Sequence, residues 1–318
     1  MKLKQNIVIF FILMGLFAFQ TGAQSDSTTT ILPKWEVGDK KVFNTADVNY
    51  IYLDDSLVSS EKLANIYYLE VIDKLDHFVL GFSEDKTNLV ERDIPLNSTL
   101  DSVLLLILTE IDQFLVQIKY DFEVDENARV IKLKNQRVYI DEVKRASEII
   151  IERFSNVLEQ LDQDPEVMLS NVRAFYLNTA GQAVMDIQQK LIHLLRPYVT
   201  EVSKEAKDTV LTREIITDQL TIFQAMENLD LTGKQTTEVT HKNGLTVSQQ
   251  TEYDKEQFLK KMKIAATAFQ DVKPDNLVLI ERAKYSFDKS TWLNSTNKEF
   301  LMAIPGVKIV RIETVRVE

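Results

Sequence analysis

The sequence predicts an α+β protein: a curved antiparallel β-sheet, half-barrel-like, with a helical-hairpin insert and one further helix. Three observations predict it. Segments rich in Tyr, Val and Ile, many with two-residue alternation, occupy both ends of the chain. Between them, over residues 136–208, apolar residues recur at three and four, the spacing of one helix face. With only 8 Gly and 6 Pro among 318 residues, no Pro/Gly/Ser-rich linker divides the parts.

The chain opens with Lys2 and Lys4, then an uncharged apolar run from Ile7 to Phe19, then small residues at Thr21-Gly22-Ala23. Residues 1–23 therefore read as a signal peptide with Gln24 first in the mature chain. The apolar run is shorter than the roughly 20 residues of a membrane span, and there is no Cys at the cleavage site to carry a lipid. The expectation is an exported chain, periplasmic or extracellular, soluble and not membrane-spanning after signal cleavage. Residues 24–33, including the polar Ser25–Thr30, are expected to be flexible. Residues 34–318 are expected to form a single domain: a β-rich half (34–135), a helical insert (136–208) and a second β-rich half with one helix (209–318).

Val42–Leu53, Leu63–Ile72 and His77–Phe82 read as strands of an antiparallel meander across Lys40–Ser83. Ser98-Thr99-Leu100-Asp101 has the form of a loose capping box before a helix over Leu100–Ile111. Within that helix Val103–Leu108, VLLLIL, is apolar on every face. Gln113–Val124 alternates through Phe114, Val116, Ile118, Tyr120, Phe122 and Val124, as a strand with one buried face does. Val130–Leu133 is a second short strand.

The insert begins with Ile140–Leu161, where Val143, Ala146, Ile150, Phe154, Val157 and Leu161 share a helix face. Asp162-Gln163-Asp164-Pro165 interrupts it, with Pro placed to open a second helix. That helix carries the stripe Met168, Val172, Phe175, Thr179, Ile187, Leu191 and Leu194 and ends near Arg196-Pro197. The two are expected to pair antiparallel, with Phe154 and Phe175 on facing stripes. Strands resume at Val210–Thr217, Leu231–Thr240 and Leu245–Tyr253, the last two joined through an Asn243-Gly244 hairpin turn. Asp254–Gln270 is an amphipathic helix. Leu277–Phe287, Trp292–Ala303 and Lys308–Val317 close the chain, turning at Asp288–Thr291 and Pro305-Gly306.

Composition excludes whole classes of chemistry. A formal charge of −11 argues against a nucleic-acid partner, which rewards clustered Lys and Arg. The absence of Cys removes disulfides, thiol catalysis, iron–sulfur clusters and thiolate zinc sites. His77, His193 and His241 lie far apart, and none belongs to an H-E-x-x-H motif. Asp121, Glu123, Asp125 and Asn127 superficially resemble a calcium loop, but Glu126 stands where an EF-hand needs Gly. The solvated side of a half-buried strand explains the same spacing. No G-x-S-x-G elbow, Gly-rich phosphate loop or Ser-x-x-Lys set occurs. No catalytic, cofactor-binding or metal-ligating residue is assigned, and no cofactor is expected.

Three short stretches carry a resemblance: Trp35-Glu36-Val37-Gly38-Asp39, Tyr120-Asp121-Phe122-Glu123-Val124-Asp125, and Tyr285-Ser286-Phe287-Asp288-Lys289-Ser290-Thr291-Trp292. In these the chain resembles an uncharacterised family of exported Bacteroidota proteins of unknown function. Ala23-Gln24 agrees with the signal-peptide ends common in that phylum. One departure is Asn127-Ala128, where a Gly is usual after the Asp near 125. More distantly, curved antiparallel strands with a helical lid are similar to the half-barrel of periplasmic lipoprotein carriers. That likeness rests on pattern, and a shared fold does not establish a shared function.

A run as apolar as Val103–Leu108 must be enclosed by protein or by a ligand. The site expected from it is an apolar cavity between sheet and helices, lined in part by Val103, Leu104, Leu105, Ile107, Leu108 and Phe122. The leading functional expectation is an exported, non-enzymatic binding protein of the cell envelope, with a hydrophobic or lipid-like small molecule or an envelope protein as its partner. The alternatives are a periplasmic hydrolase whose catalytic acids no motif singles out, and a ligand-free structural or interaction module.

Overall fold

A computed structural model describes residues 28–74, 76–88, 98–200, 202–203, 208–217, 231–241, 244–265, 269–289 and 291–318. The expected signal peptide and Asn243 of the expected hairpin turn lie outside the described residues. The first half runs Thr28–Thr29 (β1), Lys40–Leu53 (β2), Ser56–Lys74 (β3), Phe78–Glu84 (β4), Thr99–Leu115 (α1), Tyr120–Val124 (β5) and Val130–Leu133 (β6). The insert is Val138–Gln160 (α2), Pro165–Asn178 (α3), Ala180–Leu195 (α4) and Val202–Ser203 (β7). Thr209–Thr217 (β8), Leu231–Thr240 (β9), Leu245–Tyr253 (β10), Lys255–Ala265 (α5), Val278–Phe287 (β11), Leu293–Ile304 (β12) and Val307–Val317 (β13) complete it.

Among the described residues, eleven strands form one open, curved antiparallel sheet in the order β6-β5-β4-β3-β2-β13-β12-β11-β10-β9-β8. Each half is a meander of sequential neighbours. They are joined where the ends of the chain meet: β2 pairs with β13 from Phe43 opposite Val317 to Leu53 opposite Val307. The two sheet edges, β6 and β8, are then linked through α2, α3 and α4. The fold is α+β with an open sheet, as the alternation and the insert predict.

Strand parity puts the apolar side chains on one face, where the helices pack. Phe43, Tyr67, Leu69, Val71, Leu80, Phe82, Tyr120 and Phe122 meet Ile107 and Ile111 of α1, Val143 and Ile150 of α2, and Leu191 and Leu194 of α4 in one core. At the other end of the same face, α5 places Phe258, Leu259 and Met262 against Leu279, Phe300, Met302 and Ile304 in a second core. Helix starts follow the capping residues: the Ser98 side chain accepts from the Asp101 amide, and Asp164 from that of Glu166 just after Pro165. Gly244 is required at its hairpin. Its φ is +112°, and a Cβ there would lie 2.7 Å from the Phe287 carbonyl oxygen.

Four expectations are corrected. From Thr28 on, the segment expected to be flexible is pinned: β1 pairs with β7, and Ile31 and Trp35 are buried. Trp35 stacks on Trp292 at 4.9 Å and meets Tyr198 edge-on at 5.1 Å. Ile31 within the segment and Trp35 just beyond it have apolar surface to bury, and that outweighs chain entropy. Second, Gln113–Val124 is not one strand. The four-residue spacing of Val103, Ile107, Ile111 and Leu115 carries α1 on to Leu115, and β5 begins only at Tyr120.

Third, the Met168–Leu194 stripe is two helices, broken at Thr179, and its buried aromatic is Tyr176 while Phe175 is exposed. Only Tyr can be bonded there: the Tyr176 hydroxyl lies 2.7 Å from Asp112 Oδ1 and 3.0 Å from the Leu108 carbonyl. Fourth, the Val103–Leu108 run is not enclosed on every side. Leu106 is 54% exposed, opposite the buried face of α1. The turn after Asp125 holds Ala128 at φ +61°. Asp125 organises that turn, its Oδ1 accepting from the Asn127 and Arg129 amides at 2.9 and 2.8 Å. Backbone amides thus occupy a carboxylate of the calcium-like pattern.

Candidate functional site

Between α1, α3, α4 and the end of the sheet at β4 and β5 lies an open cavity of about 500 Å³. Helix periodicity builds its longest wall, because Ala183, Asp186, Ile187 and Lys190 share one face of α4. Leu115 and Val116 from the end of α1, and Phe175, Tyr176 and Thr179 from the end of α3, form two more sides. Glu84, Tyr120 and Tyr139 line it from β4, β5 and α2. Phe78, Leu80 and Phe82 alternate into the core on β4, so two-residue parity carries Glu84 inward as well.

Glu84 is the buried charge of this site. Its carboxylate, 8% exposed, pairs with the Lys190 ammonium at 2.5 Å, while the lysine side chain is 41% exposed. Burial, followed by the Glu84 charge, pushes the Tyr67 hydroxyl above its ordinary pKa. Burial also raises Tyr120, with smaller contributions from Tyr139 and Glu84. Neither α1 nor α3 has a basic residue in its last turn. Their C-terminal carbonyls add partial negative charge at the cavity rim.

The six residues expected to line an apolar cavity do not come together in this one. Val103, Ile107 and Phe122 are buried in the main core, Leu104 and Leu108 pack against it half-buried, and Leu105 is half-buried. None of the six lines the cavity. Leu108 reaches its edge only through the backbone carbonyl beside Tyr176. The structure thus places a cavity between sheet and helices, one helix turn and more beyond the expected residues and more polar. Glu84, Tyr139, Tyr176 and Lys190 were missed. The one available signal was Glu84 itself, an acid at an inward-parity position.

A second polar feature crosses the helix-bearing face between the two cores. Cross-strand pairing sets Thr251 opposite Glu281, Lys298 opposite Glu313, and Glu313 opposite Asp47. Lys298 Nζ lies 3.4 Å from Glu281 Oε1, and the Tyr253 hydroxyl donates to Glu281 Oε2 at 3.0 Å. Arg311 forms a bidentate pair with Asp47, and His193 of α4 bonds Glu313. Burial pushes the Tyr285 hydroxyl beside this band up to about 12. Each histidine faces a carboxylate rather than a second imidazole: His77 Glu123, His193 Glu313, His241 Asp208. Among the described residues no group of three or more His, Asp or Glu could hold a metal ion, and no helix is long and apolar enough to cross a membrane.

No family model matches the chain, and no curated protein matches it.

Proposed function

We propose that this protein is an exported, non-enzymatic binding protein of the cell envelope that holds a small, largely apolar ligand between its sheet and its helices. The observation that carries the reading is the cavity of about 500 Å³, with an apolar wall of Leu115, Val116, Phe175 and Ile187 and with Glu84, Asp112, Asp186 and Lys190 among its polar groups. Small-molecule sites are concave, mostly apolar and of about 300–1,000 Å³. The signal-like segment at residues 1–23 supports the location.

The test is a fluorescence titration of the purified protein with the neutral dye Nile red. Wild type should show saturable enhancement, and Ala183→Trp, which fills the cavity from α4, should lose most of it. Non-saturable binding, or equal binding by a folded Ala183→Trp variant, would overturn the reading.

A further inference from the structure

The charge of the cavity is lopsided. Three carboxylates, Glu84, Asp112 and the exposed Asp186, line it with a single ammonium, that of Lys190, which pairs with Glu84. The α1 and α3 C-termini, which carry no basic residue in their last turns, deepen the imbalance. An anionic ligand would meet three like charges there against one opposite charge, and that one already paired with Glu84.

Glu84 and Lys190 are also unequally held. The carboxylate is fixed at the end of β4 and nearly enclosed, whereas the lysine reaches it from α4 on a flexible stem with its side chain 41% exposed. Such an ammonium can return to water with little rearrangement. The carboxylate cannot follow it, and a buried carboxylate left without a cation is strongly unfavourable. Glu84 is therefore a fixed ammonium position in the cavity lining whose present occupant is replaceable. The same cavity is lined by the half-exposed Phe175 ring and, edge-on to it at 5.2 Å, that of Tyr176, and aromatic faces attract cations.

We infer that the ligand of this cavity is an amine, a primary ammonium on an apolar body, and that its ammonium takes the place of Lys190 on Glu84. The inference rests on the binding reading above and adds the chemical class of the ligand. Lys190 is then a stand-in that keeps Glu84 compensated while the cavity is empty. Leu115, Val116 and Ile187 receive the apolar body.

Calorimetric titration of the purified protein with hexylamine, hexanol and hexanoate tests this with one tail and three head charges. Hexylamine should bind about tenfold tighter than hexanol, the range of a charge-assisted hydrogen bond, and hexanoate weakest. Glu84→Gln, which leaves Lys190 free to enter water, should reduce hexylamine to the affinity of hexanol. Lys190→Met should tighten hexylamine about tenfold by removing the competitor. Because that change strands Glu84, E84Q/K190M serves as a second variant and should bind hexylamine and hexanol equally. Equal binding of hexylamine and hexanol by wild type, or a preference that survives Glu84→Gln, would overturn the amine inference. Retained Nile red binding would then leave the cavity reading standing, and its loss would sink that reading separately.

Discussion

The His193 imidazole, in the last turn of α4, bonds the Glu313 carboxylate on β13, 120 residues further along the chain. This contact ties the helical insert to the sheet beside the seam where the N- and C-terminal halves meet, since Glu313 stands opposite Asp47 of β2. Burial alone would raise the pKa of Glu313. The bond and charge of His193, then Lys298 and Arg311, outweigh it and hold the pKa at about 2.

A pH dependence follows with a definite sign. A carboxylate with a folded pKa below its unfolded value stabilises the fold fully above about pH 4.5, and that contribution disappears as pH falls toward 2. Glu313 is 14% exposed, so screening is modest and the contribution is on the order of 2–3 kcal/mol. Glu313→Gln should therefore be destabilised near pH 7 and converge with wild type only below about pH 2. Urea melts at several pH values check this. A constant gap between the two proteins across the acid range would refute it.

The α3 aromatics should separate sharply. Tyr176→Phe removes a buried hydroxyl from Asp112 and from the Leu108 carbonyl and should cost about 1–3 kcal/mol. Phe175→Ala, at a position 48% exposed, should cost under about 1 kcal/mol, far less than the 3–5 kcal/mol of a buried Phe. The reverse order in thermal melts would mean that α3 presents its other face to α1.

On α1 the neighbouring residues Leu106 and Ile107 have opposite environments, the first half in water and the second fully buried. Ile107→Ala should cost about 2–5 kcal/mol, whereas Leu106→Lys should change stability by less than about 0.5 kcal/mol. Comparable losses at both positions would show that the whole Val103–Leu108 run is covered.

The strands were readable because their signal is local. Two-residue alternation marks β5 through Tyr120, Phe122 and Val124, and turn residues such as Gly306, at φ +77°, mark the hairpins. Where two periods fit the same residues, the pattern is ambiguous. Phe114, Val116 and Ile118 continue the alternation of β5, while Ile111 and Leu115 continue the face of α1, and the larger buried surface of the helix prevails. Phe175 and Tyr176 pose the same problem on α3, since either completes a stripe with Met168 and Val172.

What the amino-acid sequence determined by itself is the fold class, the position of the helical insert and most strand limits, because each depends on side chains a few residues apart. The pairing of β2 with β13, the meeting of Glu84 with Lys190 and the band from Glu281 to Asp47 were decided only by the tertiary structure. Each joins residues that no local period relates: Glu84 and Lys190 are 106 positions apart, His193 and Glu313 120. Parity can direct Glu84 inward, but only the docking of α4 across the end of the sheet provides the ammonium that makes its burial tolerable.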